Sequence, residues 1–293
     1  MIRNRAFGWV CALMFAIVAT SAVVPDAKAE TPVKGGTVVY LSSKIPSLNP
    51  LHSAYEVGLV TSQIFASLVR MDENNEIAPY LAESWKISDD GKTYTFNLAK
   101  NAKFHDGSPV TSEDLAFSFD IIQKHHRFGK QMFGPIESYE YPDANTLIMH
   151  LSKPHGPLLL AATTPRQLPI LSKKVYGQAE DFMKQDAHKN PVGSGPFKVG
   201  DRKTDEYVSI VRNEDHFVEG LPYLDKIIYQ NVQDKTAKRI GLRQNQFQLA
   251  AQIPSCVLVI LRNSQNSNIC RSRSIKASPV APLSWNSTIV RNL

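Results

Sequence analysis

Between Glu30 and Ser255 there is not one cysteine. That limits the fold, because the chain opens like an exported one. Arg3 and Arg5 precede an uncharged apolar run, Phe7 to Val24, and Ala27-Lys28-Ala29 has the small-residue spacing of a signal-peptidase site. The reading is a signal peptide over residues 1–29 that takes Cys11 with it and a mature chain starting at Glu30. The alternative is an uncleaved anchor, since eighteen apolar residues can just span a bilayer. An exported body without disulfides must be held by an apolar core. The remaining length and the 43% apolar composition permit one. The same absence removes thiolate catalysis and Cys-ligated zinc from the body.

Charge divides the chain again. The net +6 suggests a nucleic-acid or membrane partner if taken whole. Yet Glu30 to Asp234 carries 21 Lys and Arg against 26 Asp and Glu, whereas Lys235 to Leu293 carries 9 Lys and Arg and no acid. The basic character therefore belongs to the last fifth. No basic stripe interleaved with aromatics runs through the body, which excludes nucleic-acid binding there. Cys256 and Cys270 also lie in this last part.

Periodicity places the elements. Thr37–Leu41 is a short β-branched run that reads as a buried opening strand. Val57, Val60, Ile64, Phe65 and Leu68 recur at helical spacing and predict a helix over Glu56–Leu68. Trp85–Leu98 reads as a hairpin turning at Asp90-Gly91, with Tyr94, Phe96 and Leu98 on its buried face. Thr146–Leu151 predicts a strand paired with Ser138–Tyr141. Four prolines, Pro154, Pro157, Pro165 and Pro169, punctuate a segment of short helices. Strands follow at Phe197–Val199, Tyr207–Arg212 and Lys226–Tyr229, and a helix begins at Asp234. This mixture predicts an α/β or α+β domain.

The stretch from Lys103 to Asp120 gathers His105, Asp106, Glu113 and Asp114 and so raises the question of a metal site or an acid/base pair. A structural reading accounts for the acids. Phe104 ends a strand, Asp106-Gly107 turns, and Thr111-x-x-Asp114 has capping-box spacing before a helix whose Leu115, Phe119 and Ile122 share a buried face. The metal reading, a secreted metal-dependent hydrolase, requires His105 to fold back over that helix start. His125-His126 are adjacent on a helix and point about 100° apart, a poor chelate. Gly193-Ser194-Gly195 lacks the frame of a serine nucleophile elbow. Its glycines imply either a plain turn or close backbone approach to a ligand.

Several ordered motifs carry a resemblance. They are Ser47-Leu48-Asn49-Pro50, Ile64–Arg70, Leu81-Ala82-Glu83-Ser84-Trp85, Ser88–Phe96, Lys103–Gly107, Pro191–Phe197 and Pro222-Tyr223-Leu224-Asp225. Over about Pro32 to Ala251 the chain strongly resembles the family 5 extracellular solute-binding proteins, the peptide- and nickel-binding components of bacterial ABC importers. The resemblance implies a type II periplasmic binding protein fold, with residues 30–253 as its first lobe. It implies a periplasmic receptor, monomeric, without catalysis, cofactor or bound metal of its own. The receptor would hand a peptide or similar solute to ABC permease subunits at the inner membrane, with nickel-chelate, opine and other small-solute receptors as alternatives. The loop Ser53, Ala54, Tyr55 and Glu56 is implied to lend backbone to a peptide as an added strand. Gly193, Ser194 and Gly195 are implied to lie near the cleft, and Phe128 and Phe133 to reach the ligand.

The resemblance fades where the family shows Gly-Glu-hydrophobic-Asp and this chain has Gln244–Gln248. Residues 254–293 are expected to be a non-homologous, disordered basic tail, in the manner of an out-of-frame translation. The expectation that follows is a chain without its second lobe, impaired in closing on ligand.

Overall fold

The computed structural model describes residues 33–250 except positions 43, 179, 245 and 248. The expected signal peptide and basic tail lie outside the described residues.

Two sheets, each with its own core, organise these residues. The first has strand order β11-β1-β10-β9-β8. Strand β1 (Thr37–Ser42) runs parallel to β10 (Lys226–Asn231) and to the two-residue β11 (Leu249–Ala250). Strands β9 (Tyr207–Arg212) and β8 (Phe197–Lys203) continue antiparallel. Helix α1 (Tyr55–Ile64) packs over this sheet through Val60 and Ile64, which join Tyr40, Phe197, Ile210 and Tyr229 in one core. The second sheet is antiparallel, β4 (Ala82–Ile87), β5 (Thr93–Leu98), β7 (Thr146–Leu151) and β6 (Ile136–Asp143) in the order β4-β5-β7-β6. A short hairpin, β2 (Val69–Met71) and β3 (Ile77–Pro79), leads into it.

Strict alternation builds the second core. Tyr94, Phe96 and Leu98 of β5 and Leu147, Met149 and Leu151 of β7 are buried, and their neighbours are not. The β4–β5 turn is as expected, with Gly91 at φ +67° and the Asp90 carboxylate accepting from the Lys92 N–H and the Ser88 hydroxyl.

Helix α2 (Ser112–His125) closes this core with Leu115, Phe119 and Ile122, all fully buried. Its start is a true capping box. The Thr111 hydroxyl accepts from the Asp114 N–H, and the Asp114 carboxylate accepts from the Thr111 N–H at 2.9 Å. The other Asp114 oxygen accepts the Lys173 N–H at 2.8 Å, tying α2 to the loop before the next core segment.

Two expectations change. The first helix stops at Ile64 rather than running to Leu68, because the Ile64 carbonyl is taken by the Gly195 N–H at 2.8 Å and Phe65 turns to extended backbone. Phe104 ends no strand. Strand β5 stops at Leu98, and Phe104 sits in a loop closed by a lone bridge between Lys103 and Pro109.

Thr111→Ala removes the cap hydroxyl and should cost about 1 kcal/mol. At this domain size that lowers Tm by about 2–4 °C. Calorimetry of the variant at neutral pH checks it; an unchanged Tm would show that the box carries no stability.

Candidate functional site

His105 lies away from the α2 start. Its backbone N–H donates to the Gly193 carbonyl at 2.8 Å, its Nδ1 accepts the Gly193 N–H at 3.3 Å, and its Nε2 donates to the Gly195 carbonyl at 3.1 Å. One nitrogen accepting and one donating is the pattern of a neutral imidazole. Burial, the largest cause, holds its pKa down to about 4. Both nitrogens are committed to backbone, which leaves no lone pair for a metal. Among the described residues no three His, Cys, Asp or Glu side chains gather as metal ligands.

The loop His105 clasps is buried. Ser194 is wholly inside, and a Cβ added at Gly193 or Gly195 would run into the Ile64 carbonyl at the end of α1. The close approach these glycines serve is to a helix terminus. Phe133, expected to reach ligand, is fully buried, with its ring 5.1 Å from Phe119 in an edge-on pair.

The loop Ser53, Ala54, Tyr55 and Glu56 is placed differently. The segment before it is stitched by local turns. Asn49 Oδ1 accepts the Leu51 N–H at 2.9 Å, and His52 Nδ1 accepts the Ala54 N–H at 3.1 Å. Helix α1 then starts at Tyr55 with extended Ala54 as its cap residue and no side-chain cap. No side-chain oxygen therefore caps its first-turn N–H groups. Ser53 and Tyr55 are exposed. Glu56, in that first turn, suits the helix dipole.

Arg166 completes the surface. It is exposed, and its guanidinium carbon stands 5.6 Å from the Tyr55 ring centre. Behind it, His126 bonds to the Arg166 backbone. Burial, then the Arg166 charge, lowers the pKa of His126. The Phe128 N–H donates to His126 Nδ1 at 3.2 Å, and the Arg127 guanidinium covers the Phe128 ring at 4.9 Å. Bonds through His126 thus link the Phe128 backbone to that of Arg166, whose guanidinium faces Tyr55. Large apolar side chains stay open here, with Phe128 45% and Tyr55 37% exposed. Met183, 41% exposed, adjoins the same loop through a 3.7 Å contact of its sulfur with Asn49 Nδ2.

Arg166 and Arg127 have no carboxylate at ion-pair distance among the described residues. Two concave clefts elsewhere differ in this respect. A cavity of about 370 Å³ beside Lys44, Asp205, Tyr229 and Asn231 has its lysines paired, Lys44 with Asp205 at 2.7 Å and Lys203 with Glu206 at 2.8 Å, while Arg202 bonds to the Lys189 carbonyl at 3.0 Å. One of about 390 Å³ beside Ser108, Glu113 and Ser172 holds Lys173 against Glu113 at 2.8 Å. Sequence reasoning missed Arg166. Its signal was present, as the only Lys, Arg, Asp or Glu between Lys153 and Lys173.

Comparison with known proteins agrees with this architecture. Residues 76–285 match the profile of the bacterial extracellular solute-binding proteins, family 5. An ABC transporter peptide-binding protein of Brucella ovis is 31% identical over 251 residues, 84% of this chain and 47% of the relative. The periplasmic binding protein DppA of Helicobacter pylori, solved with the peptide STSA, superposes with TM-score 0.70 at 29% identity, covering 80% of this chain and 50% of that one. The oligopeptide-binding protein AppA of Bacillus subtilis, solved with a nonapeptide, gives TM-score 0.72 at 26% identity, covering 80% and 47%. The mixed α/β fold is that of periplasmic binding proteins. The chain spans about half the length of the curated relatives it matches.

The His105 clasp should make the fold acid-sensitive. The imidazole is neutral when folded, with a pKa of about 4, and ordinary when unfolded, near 6.5. Its stabilisation is therefore whole above pH 6.5 and is lost as pH falls towards 4, by roughly 3 kcal/mol. His216, also lowered to about 4 by burial and then by His105, adds to the same limb. Urea unfolding at pH 7, 5.5 and 4.5 should show this fall, with a slope about one proton shallower in His105→Phe. Equal slopes for the two proteins would refute the buried neutral clasp.

Proposed function

Since the chain belongs to the family 5 bacterial extracellular solute-binding proteins, we propose that it acts as the periplasmic receptor of an ABC importer. It binds a peptide or similar small solute and delivers it unchanged to the permease subunits, as a monomer and without catalysis. The observation that carries the ligand assignment is the open face at the start of α1, where Arg166 stands unpaired over exposed Tyr55. The extended loop Ser53–Glu56 offers backbone for strand-like pairing. The uncapped first turn of α1 and Arg166 offer positive ends to a negative group on the ligand. Tyr55 and Phe128 offer apolar faces. Gly193, Ser194, Gly195 and Phe133 support this wall from within. A carboxylate-rich non-peptide solute, such as an opine or a metal chelate, is the second reading. It is favoured by Arg127 and Arg166, each laid on an aromatic ring without a carboxylate partner.

Ligand binding to the folded state should raise Tm in proportion to ligand concentration over Kd. Titration calorimetry with defined di- to tetrapeptides, opines and nickel-histidine separates the two readings. Arg166→Gln removes a charge-assisted contact of about 1.5–3 kcal/mol, so affinity should fall roughly 10- to 100-fold. Tm of the free protein should stay within about 1 °C, because an exposed side chain contributes little to folding. A variant that binds as tightly as the parent would remove Arg166 from the site and take the central observation with it.

A further inference from the structure

Gly58 sits in the fourth position of α1 with ordinary helical bonding, its N–H donating to the Ala54 carbonyl at 3.2 Å. Nothing in its backbone calls for glycine, since Gly58 is not among the residues with positive φ. Glycine inside a helix weakens it relative to alanine. The reason for its presence lies across the surface. A Cβ built on Gly58 would stand 2.8 Å from both Cζ and Nε of Arg166 and 3.2 Å from its Cδ. Gly58 is buried, and these Arg166 atoms lie nearest the place its side chain would fill. Tyr55 and Gly58 are three residues apart and so share one stripe of the helix. Arg166 lies along that stripe, its guanidinium carbon 5.6 Å from the Tyr55 ring centre and its Cζ, Nε and Cδ over the notch at Gly58.

We propose that Gly58 is a positioning residue that seats Arg166 across the first turn of α1, so that the charge selectivity of the site is set by the absence of a side chain at position 58. The inference rests on the receptor reading for its ligand, but the seat itself is a property of the protein alone. The obstructing atoms belong to the tip of a flexible side chain, so a methyl at 58 displaces Arg166 and leaves the helix intact. Selectivity and stability therefore move in opposite directions. Alanine favours the helix while the ligand's negative group loses its fixed partner.

The test compares the parent, Gly58→Ala and Arg166→Gln by NMR and by titration with trialanine and trialanine amide, which differ in the terminal carboxylate. In the parent, contacts between the Arg166 side chain and both the Gly58 Hα and the Tyr55 ring are expected. In Gly58→Ala the Tyr55 contacts disappear while Tm is equal or higher. The affinity ratio of trialanine to its amide falls by about tenfold, towards that of Arg166→Gln, as loss of one charged contact requires. If Gly58→Ala keeps the Tyr55 contacts and the ratio, or if it unfolds, the proposal is overturned. If the parent binds both peptides equally, the selectivity claim fails and the receptor reading stands. If the parent binds neither, the peptide form of that reading fails and the selectivity claim with it, while the Arg166–Tyr55 contacts alone decide the seat.

Discussion

A neutral imidazole between two glycines joins the two halves of this fold. His105 comes from the loop after the antiparallel sheet. Gly193 and Gly195 come from the loop that enters the mixed sheet, and the three hydrogen bonds between them cross from one core to the other. The Gly195 carbonyl also accepts from Asn213 Nδ2 at 3.1 Å, and its N–H ends α1 at Ile64. A buried polar network of this kind is stabilising only when its members are paired, and here each imidazole nitrogen has one partner. The clasp fixes where α1 stops, and the candidate ligand face lies at the other end of that helix.

Much of this was legible in the sequence. The alternation Tyr94-Thr95-Phe96-Asn97-Leu98 and the capping box at Thr111 are local rules, and the structure follows them. Gly193-Ser194-Gly195 announced close approach but not by what. The neighbour proved to be a helix end some 130 residues earlier in the chain, and no local pattern encodes that pairing. Phe133 is an aromatic residue beside a helix end, as Phe128 is. Only packing separates them, one edge-on to Phe119 inside the core, the other open under Arg127. Gly58 was invisible for the same reason. A glycine at a helical spacing carries no sign of the arginine that covers it.

Contact between cations and aromatic rings marks the face at α1. Around both concave clefts the lysines are matched by carboxylates on neighbouring elements, and exposed pairs of that kind contribute little and recruit little. Arg127 and Arg166 are instead laid on aromatic rings, which hold a guanidinium in place without neutralising it. A cation so held keeps its hydrogen-bonding edge for an incoming group and loses less freedom on binding. The chain spans about half the length of the relatives it matches.

The most direct measurement is hydrogen exchange by mass spectrometry of the protein alone and with a saturating peptide found by titration. Protection is expected to concentrate on peptides covering Ser53–Gly58, Arg127–Phe128 and Arg166, with little change at Lys44–Pro46 or Ser108–Thr111. Protection centred on either of those two clefts, with the start of α1 unaffected, would contradict the assignment of the ligand face.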